Sequence, residues 1–143
     1  MVTVRIAKRD PRAQLPAYQT PGSAAFDLAI IEDAVVAPRG HALLRTGLVI
    51  GLPEDHVLHV YARSSLFKKQ GLVLANGVGV IDADYCGPDD EVLLSVWNPG
   101  DAAVHLEAGA RLAQGIVLAR PRVTWVEGDA GGAGRGGFGS TGR

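Results

Sequence analysis

The chain has 143 residues, 47% of them hydrophobic and 20% charged, which suits one globular domain with a real core. A formal net charge of -1 excludes binding through a broad basic surface, as duplex DNA or an anionic membrane would require, but leaves room for a nucleotide pocket holding a few local cations. Cys86 is the only cysteine, so no intrachain disulfide forms and a reducing, cytoplasmic setting is expected.

Met1 to Ile6 alternates in character and lacks the uninterrupted apolar core of a signal peptide. No apolar run approaches the roughly 20 residues needed to span a bilayer. Ala25-Phe26-Asp27-Leu28 sets an acid among apolar neighbours, and such an acid calls for a partner, catalytic or merely structural. His56 to Tyr61, Glu91 to Trp97, Arg111 to Leu118 and Arg122 to Val126 read as strands of period two. Turn chemistry separates them at Leu52-Pro53-Glu54-Asp55, Asn98-Pro99-Gly100-Asp101 and Glu107-Ala108-Gly109. Many short strands at close spacing predict an all-β sandwich or barrel. The one helical candidate is Ser64 to Gln70, with a serine to cap its first turn and Gly71 to end it.

Several segments offer chemistry. After a strand, Arg63-Ser64-Ser65 supplies a planar cationic fork and hydroxyl donors, which together suit an anion; an arginine beside a capped helix start is the structural alternative. Asn76 to Pro88 reads as a strand that carries Asp82 and Asp84 on one face and turns at Tyr85-Cys86-Gly87-Pro88. A carboxylate at the mouth of such a hairpin can orient a water or take its proton, and an Asp-rich loop without function fits the same residues. Gln114, after the turn glycine Gly109, can reach a phosphate or stay on the surface. Residues 128–143 are half glycine, a backbone too flexible to order itself, yet Phe138 stands there beside cations and hydroxyls like part of a lid. The histidines at 41, 56, 59 and 105 lack zinc-site spacing, and no GxGxxG, GxxxxGK[ST] or GxSxG motif occurs.

Taken in order, these segments resemble the five motifs of the trimeric dUTPase family. Ala25-Phe26-Asp27-Leu28 is similar to the first motif, Arg63-Ser64-Ser65-Leu66 to the second, Asn76 to Gly87 to the third, Gly109 to Gln114 to the fourth and Gly136 to Gly142 to the fifth. The resemblance implies a jelly-roll-like β-barrel over residues 1–127 and a flexible C-terminal lid arm over 128–143. It implies a homotrimer whose active sites draw motifs from three subunits, and no nucleic-acid or membrane partner. The implied reaction is hydrolysis of dUTP to dUMP and pyrophosphate by water attack at the α-phosphate, which limits uracil in DNA and supplies dUMP for thymidylate synthesis. Mg²⁺ is the implied cofactor, carried by the triphosphate and water with no direct protein ligand.

The implied roles fall on particular residues. Asp82 holds the attacking water, and Asp27 supports the site from behind. Asn76 and the hairpin backbone near Ile81 read the uracil edge, where an unpaired buried polar group costs ~1–3 kcal/mol against a wrong base. Tyr85 stacks under the deoxyribose and excludes a 2′-hydroxyl. Arg63, Ser64, Ser65 and Gln114 hold phosphates. Arg135, Phe138, Gly139, Ser140 and Thr141 form the lid. Three positions depart from the family pattern: Ser65 replaces a glycine, Cys86 replaces an arginine or glutamine, and the lid arginine slot is Ala133, with Arg135 two places later. A dCTP deaminase, alone or bifunctional, is one alternative; it needs a proton-shuttling glutamate, and Glu91 after the hairpin stands in a setting, Asp89-Asp90-Glu91-Val92, unlike the deaminase motif. A trimeric nucleotide-binding module without turnover is the other.

Overall fold

Short apolar bursts cannot bury their backbones alone, so each must find a neighbour. In the computed structural model, which describes residues 1–134, 136 and 137, they do so as β1 (Arg5–Lys8), β2 (Phe26–Ala29), β3 (Ala34–Val36), β4 (His41–Arg45), β5 (Leu48–Gly51), β6 (His56–Ala62), β7 (Val73–Leu74), β8 (Gly79–Ile81), β9 (Leu93–Trp97), β10 (Val104–Leu106) and β11 (Arg111–Ala119). The fold is all-β, as the turn spacing predicts. Its strands form a four-stranded sheet β2-β11-β6-β8, a three-stranded sheet β4-β9-β7, and the ribbons β1-β5 and β10-β3. The hydrogen-bonded ladder does not close into one continuous barrel. The ribbons end within four residues, at Leu52-Pro53 and Ala37-Pro38, and proline cannot donate to a ladder. Among the described residues, no helix is long and apolar enough to cross a membrane.

The four-stranded sheet positions everything that follows. Strand β11 pairs along all of β6, from Ala113↔Ala62 to Ala119↔His56, and on its other side sets Gln114 against Asp27 and Gly115 against Phe26. Its alternation points Leu58 and Val60 into the core and leaves His59 and Tyr61 partly exposed on the outer face. Leu28, Ile50, Leu94, Val96 and Leu112 close the interior from the other elements. At the exit of β9, Asn98 is fully buried and satisfied: its amide donates to the carbonyls of Val36, Ala37 and Ala102 at 3.1, 3.1 and 2.8 Å.

Four local expectations change. Asp82 and Asp84 do not lie on a strand, because β8 ends at Ile81 and the backbone turns at once, with Tyr85 N donating to the Asp82 carbonyl at 3.1 Å. The helical candidate is a single π-helical turn, Leu66–Gln70; Ser65 begins it in the αR conformation and makes no side-chain cap, while Gly71 ends it as expected with φ 69°. Glu91 and Val92 precede β9 rather than joining it. Arg122 to Val126 forms no strand: among the described residues nothing pairs with it, and Trp125 and Val126 are each 89% exposed.

Gly115 marks the tightest crossing in the sheet. A Cβ there would stand 2.5 Å from Cε2 of Phe26 and 3.0 Å from Cδ1 of Leu58, so β11 passes the core only as glycine. Gly115→Ala is therefore expected to cost about 1–3 kcal/mol through overpacking, read as a lowered melting temperature; an unchanged melt would mean that Phe26 moves freely aside.

Candidate active site

Residues from three distant segments meet on the outer face of the large sheet. The pairings Asp27↔Gln114 and Gln114↔Tyr61 align Asp27, Gln114 and Tyr61 in one cross-strand row. Arg63 follows two residues after Tyr61 and remains in the sheet's path, its N–H donating to the Leu112 carbonyl at 3.2 Å. Together with Ser64 and Ile116 these side chains line a cleft of about 590 Å³, closed at one side by Gln19, Ser23 and Ala24.

The acid at 27 has the partner its setting demands. Its side chain is 9% exposed; Oδ1 lies 3.0 Å from Nε of Arg63, and Oδ2 lies 3.1 Å from Nη1 of Arg111. Arg63 also donates through Nη1 to the Arg111 carbonyl at 3.2 Å, and Arg111 donates to Oε1 of Gln19 at 2.7 Å. The Arg63–Asp27 pair lines the cleft while Arg111 braces Asp27 from outside its lining, and the carboxylate fixes the Arg63 fork by its Nε edge. Gln114 is fixed too, its amide donating to the Ala62 carbonyl at 3.0 Å. This arrangement suits a phosphate-like anion, because the ion pair holds the guanidinium in place before a ligand arrives. Ser65 stands just outside the cleft lining.

A second cavity, of about 490 Å³, lies at the end of the hairpin. It is lined by Leu52, Glu54, Asp82, Ala83, Asp84, Arg120 and Arg122. The turn gathers the two acids that the sequence placed on a strand, so they share a cavity for a different reason. Arg120 donates to the Glu54 carbonyl at 2.6 Å, and its own Nε is buried without a partner. Tyr85, 38% exposed, donates its hydroxyl to the Glu91 carbonyl at 3.1 Å. Asn76 sits exposed in the turn after β7, where Gly77 takes φ 68° and donates to the Leu74 carbonyl at 3.1 Å. Ile81 is the last residue of β8, opposite Leu58.

The two cavities share no lining residue, and the register explains why. Asp82 follows directly on the Ile81↔Leu58 pair, whereas Arg63 lies just past the far end of β6. Leu58 and Arg63 are five positions apart in extended chain, roughly 17 Å. One chain therefore does not bring Arg63 and Asp82 to a single phosphorus atom and its attacking water. Arg135, Phe138, Gly139, Ser140 and Thr141 lie outside the described residues. Sequence reasoning missed Tyr61, Ile116 and Gln19 at the cleft, and Glu54, Arg120 and Arg122 at the hairpin. Tyr61 and Ile116 carried a usable signal, since each stands two residues from a candidate on the same strand face.

Against known proteins, the dUTPase family model matches residues 11–142. The deoxyuridine 5′-triphosphate nucleotidohydrolase of Wolinella succinogenes is 40% identical over 143 residues, covering 98% of this chain and 94% of that one. The crystal structure of the dUTPase from Streptococcus mutans superposes with a TM-score of 0.77 at 31% identity, over 85% of this chain and 98% of that one. A dUTPase of Staphylococcus bacteriophage 80alpha, determined with dUpNHpp, gives a TM-score of 0.84 over 99% of both chains; at 23% identity this likeness is one of fold.

If the cleft is an anion site built on the Arg63 fork, Arg63→Lys replaces two directed donors by a point charge. Its affinity for inorganic tripolyphosphate is expected to fall about tenfold, measured by titration calorimetry. An undiminished affinity would remove Arg63 from the site.

Proposed function

The chain belongs to the dUTPase family, and from that membership we propose that it hydrolyses dUTP to dUMP and pyrophosphate, limiting uracil in DNA and supplying dUMP for thymidylate synthesis. The observation that carries this reading is the convergence of Asp27, Arg63, Ser64 and Gln114 in one cleft, from three separate segments of a chain matched along residues 11–142.

In the proposed reaction, Arg63, Ser64 and Gln114 bind the triphosphate, and Asp27 keeps the Arg63 fork aligned. Ser65 adds at most its backbone N–H, since its side chain is outside the cleft lining. Asn76 and the backbone around Ile81 read the uracil edge, and Tyr85 packs against the deoxyribose. Asp82 accepts a proton from the water that attacks the α-phosphorus, and the bond to the bridging oxygen breaks to release pyrophosphate. Residues 128–143 form an arm beyond the 1–127 body. Arg135, Phe138, Gly139, Ser140 and Thr141 on that arm close over the nucleotide and exclude water.

Mg²⁺ fits as a cofactor that arrives on the substrate. The cleft offers cationic and hydroxyl donors for a metal-bearing triphosphate. When bound, the ion neutralises charge on the phosphate oxygens.

The separation of Arg63 from Asp82 supports a site shared between copies of the chain; in the proposed homotrimer one subunit supplies the phosphate cleft, a second the hairpin and a third the arm. The single cysteine supports a cytoplasmic location. The deaminase alternative loses its candidate shuttle. Glu91 is 3% exposed, bonded to Arg45 and Gly47, and absent from the lining of both cavities.

With Mg²⁺, chromatography should find dUMP and pyrophosphate from dUTP, and no product from dCTP, dTTP or UTP. Asp82→Asn should lower kcat by about 10²–10⁴-fold while a non-hydrolysable dUTP analogue still binds; unchanged turnover would end the role assigned to Asp82. Mixing that variant with Arg63→Ala tests the shared site directly. Random reassembly of two inactive proteins should restore about a quarter of the sites, since each needs an intact residue from each of two subunits. No recovery after reassembly would place the whole site within one chain.

A further inference from the structure

Glu91 is the most deeply enclosed charge among the described residues, and the proposed reaction does not use it. A buried carboxylate is costly unless every oxygen is met, and here both are. Oε1 accepts the Gly47 N–H at 2.7 Å. Oε2 accepts Nε and Nη2 of Arg45 at 3.2 and 3.1 Å, with Nη1 of Arg9 at 3.6 Å. The hydrogen bond to Glu91 holds the Arg45 guanidinium above its ordinary value.

The main chain at this point is clamped as firmly as the side chain. Thr46 Oγ1 donates to the Val92 carbonyl at 2.6 Å, and Val92 N donates to the Leu48 carbonyl at 2.8 Å. The Glu91 carbonyl is thereby fixed, and it is the acceptor for the Tyr85 hydroxyl at 3.1 Å. Between them the loop is closed on itself, with Gly87 N donating to Oδ2 of Asp90 at 2.7 Å. Tyr85 N in turn holds the Asp82 carbonyl at 3.1 Å. A continuous path of hydrogen bonds runs from the buried ion pair to the turn that carries Asp82 and Tyr85.

We propose that Glu91 is a positioning residue for sugar discrimination: its side chain holds the Gly47 N–H between Thr46 and Leu48 and so completes the clamp on the carbonyl that tethers the Tyr85 hydroxyl, and the tether makes the tyrosine ring a rigid wall against a 2′-hydroxyl. The inference rests on the reading above, in which Tyr85 packs against the deoxyribose. The physical point is stiffness. A partly exposed ring held only by its Cβ can rotate away from one extra oxygen. A ring held at both ends yields only by breaking a hydrogen bond.

The test compares Tyr85→Phe, which keeps the wall and cuts the tether, with Glu91→Gln, which keeps the tether and loosens its anchor. The readout is the ratio of kcat/KM for dUTP to kcat/KM for UTP in the full-length protein. Each substitution should lower that ratio about tenfold through a gain on UTP, roughly the weight of one hydrogen bond. The double variant should fall no further than the worse single one, because both act on one element. A merely structural role for Glu91 predicts losses on both nucleotides alike and an unmoved ratio, which would overturn the proposal; so would singles whose effects multiply. Should Glu91→Gln fail to fold, Arg45→Lys, which weakens the hold on the same carboxylate from its one-third exposed partner, takes its place, and a ratio that does not fall there would overturn the proposal. A wild-type protein that hydrolyses dUTP and UTP equally removes the sugar-packing reading itself. One that rejects UTP while Tyr85→Phe rejects it equally well removes only this inference.

Discussion

An extended strand cannot be shortened, and the seven residues of β6 set the scale of this molecule. On one flank β11 and β2 register against β6 so that Asp27, Gln114 and Tyr61 align and Arg63 emerges beside them. On the other flank β8 registers so that its chain runs the opposite way and delivers Asp82 to the far end. The cleft and the hairpin turn are each well made, and the strand between them keeps them apart. Slipping either register by one residue would turn the polar row toward the core and the core toward water, so the core locks the separation in place.

Two acids do similar electrostatic work to different ends. Asp27 holds Arg63 in the cleft lining and Arg111 beside it. Glu91 lies in the interior and holds Arg45 and the Gly47 backbone, where nothing remains to bind. Placement decides between them. Arg63 lines an open cleft and is free to meet a ligand, while Glu91 lines neither cavity and transmits rigidity to what touches its backbone.

How much was legible in the sequence follows from the range of each interaction. Period two and turn residues are local, so the cores of β6, β9 and β11 and the turns at Pro53, Asn98 and Gly109 were readable from the chain. That Asp27 needed a partner was also readable, from its apolar neighbours. That the partners are Arg63 and Arg111 was not, because those residues lie 36 and 84 positions away and only pairing brings them together. Arg122 to Val126 alternates like a strand and fails to become one, since alternation describes a face and says nothing about whether a partner edge exists. Asp82 and Asp84 were placed on one face by spacing, while the backbone chose a turn that gathers them by another route. The residues proposed for the arm, at 135 and 138–141, were legible only through the resemblance to the family, and they lie outside the described residues.

The distance along β6 has a consequence in mass action. If Arg63 and Asp82 act on one nucleotide as proposed, a chain that sets them about 17 Å apart has no complete centre as a single molecule, however well folded it is. Its specific activity is then a property of concentration rather than of the chain, falling faster than linearly on dilution as copies part. Substrate bound across two copies would oppose that loss, so the enzyme would hold itself together best where there is most work to do.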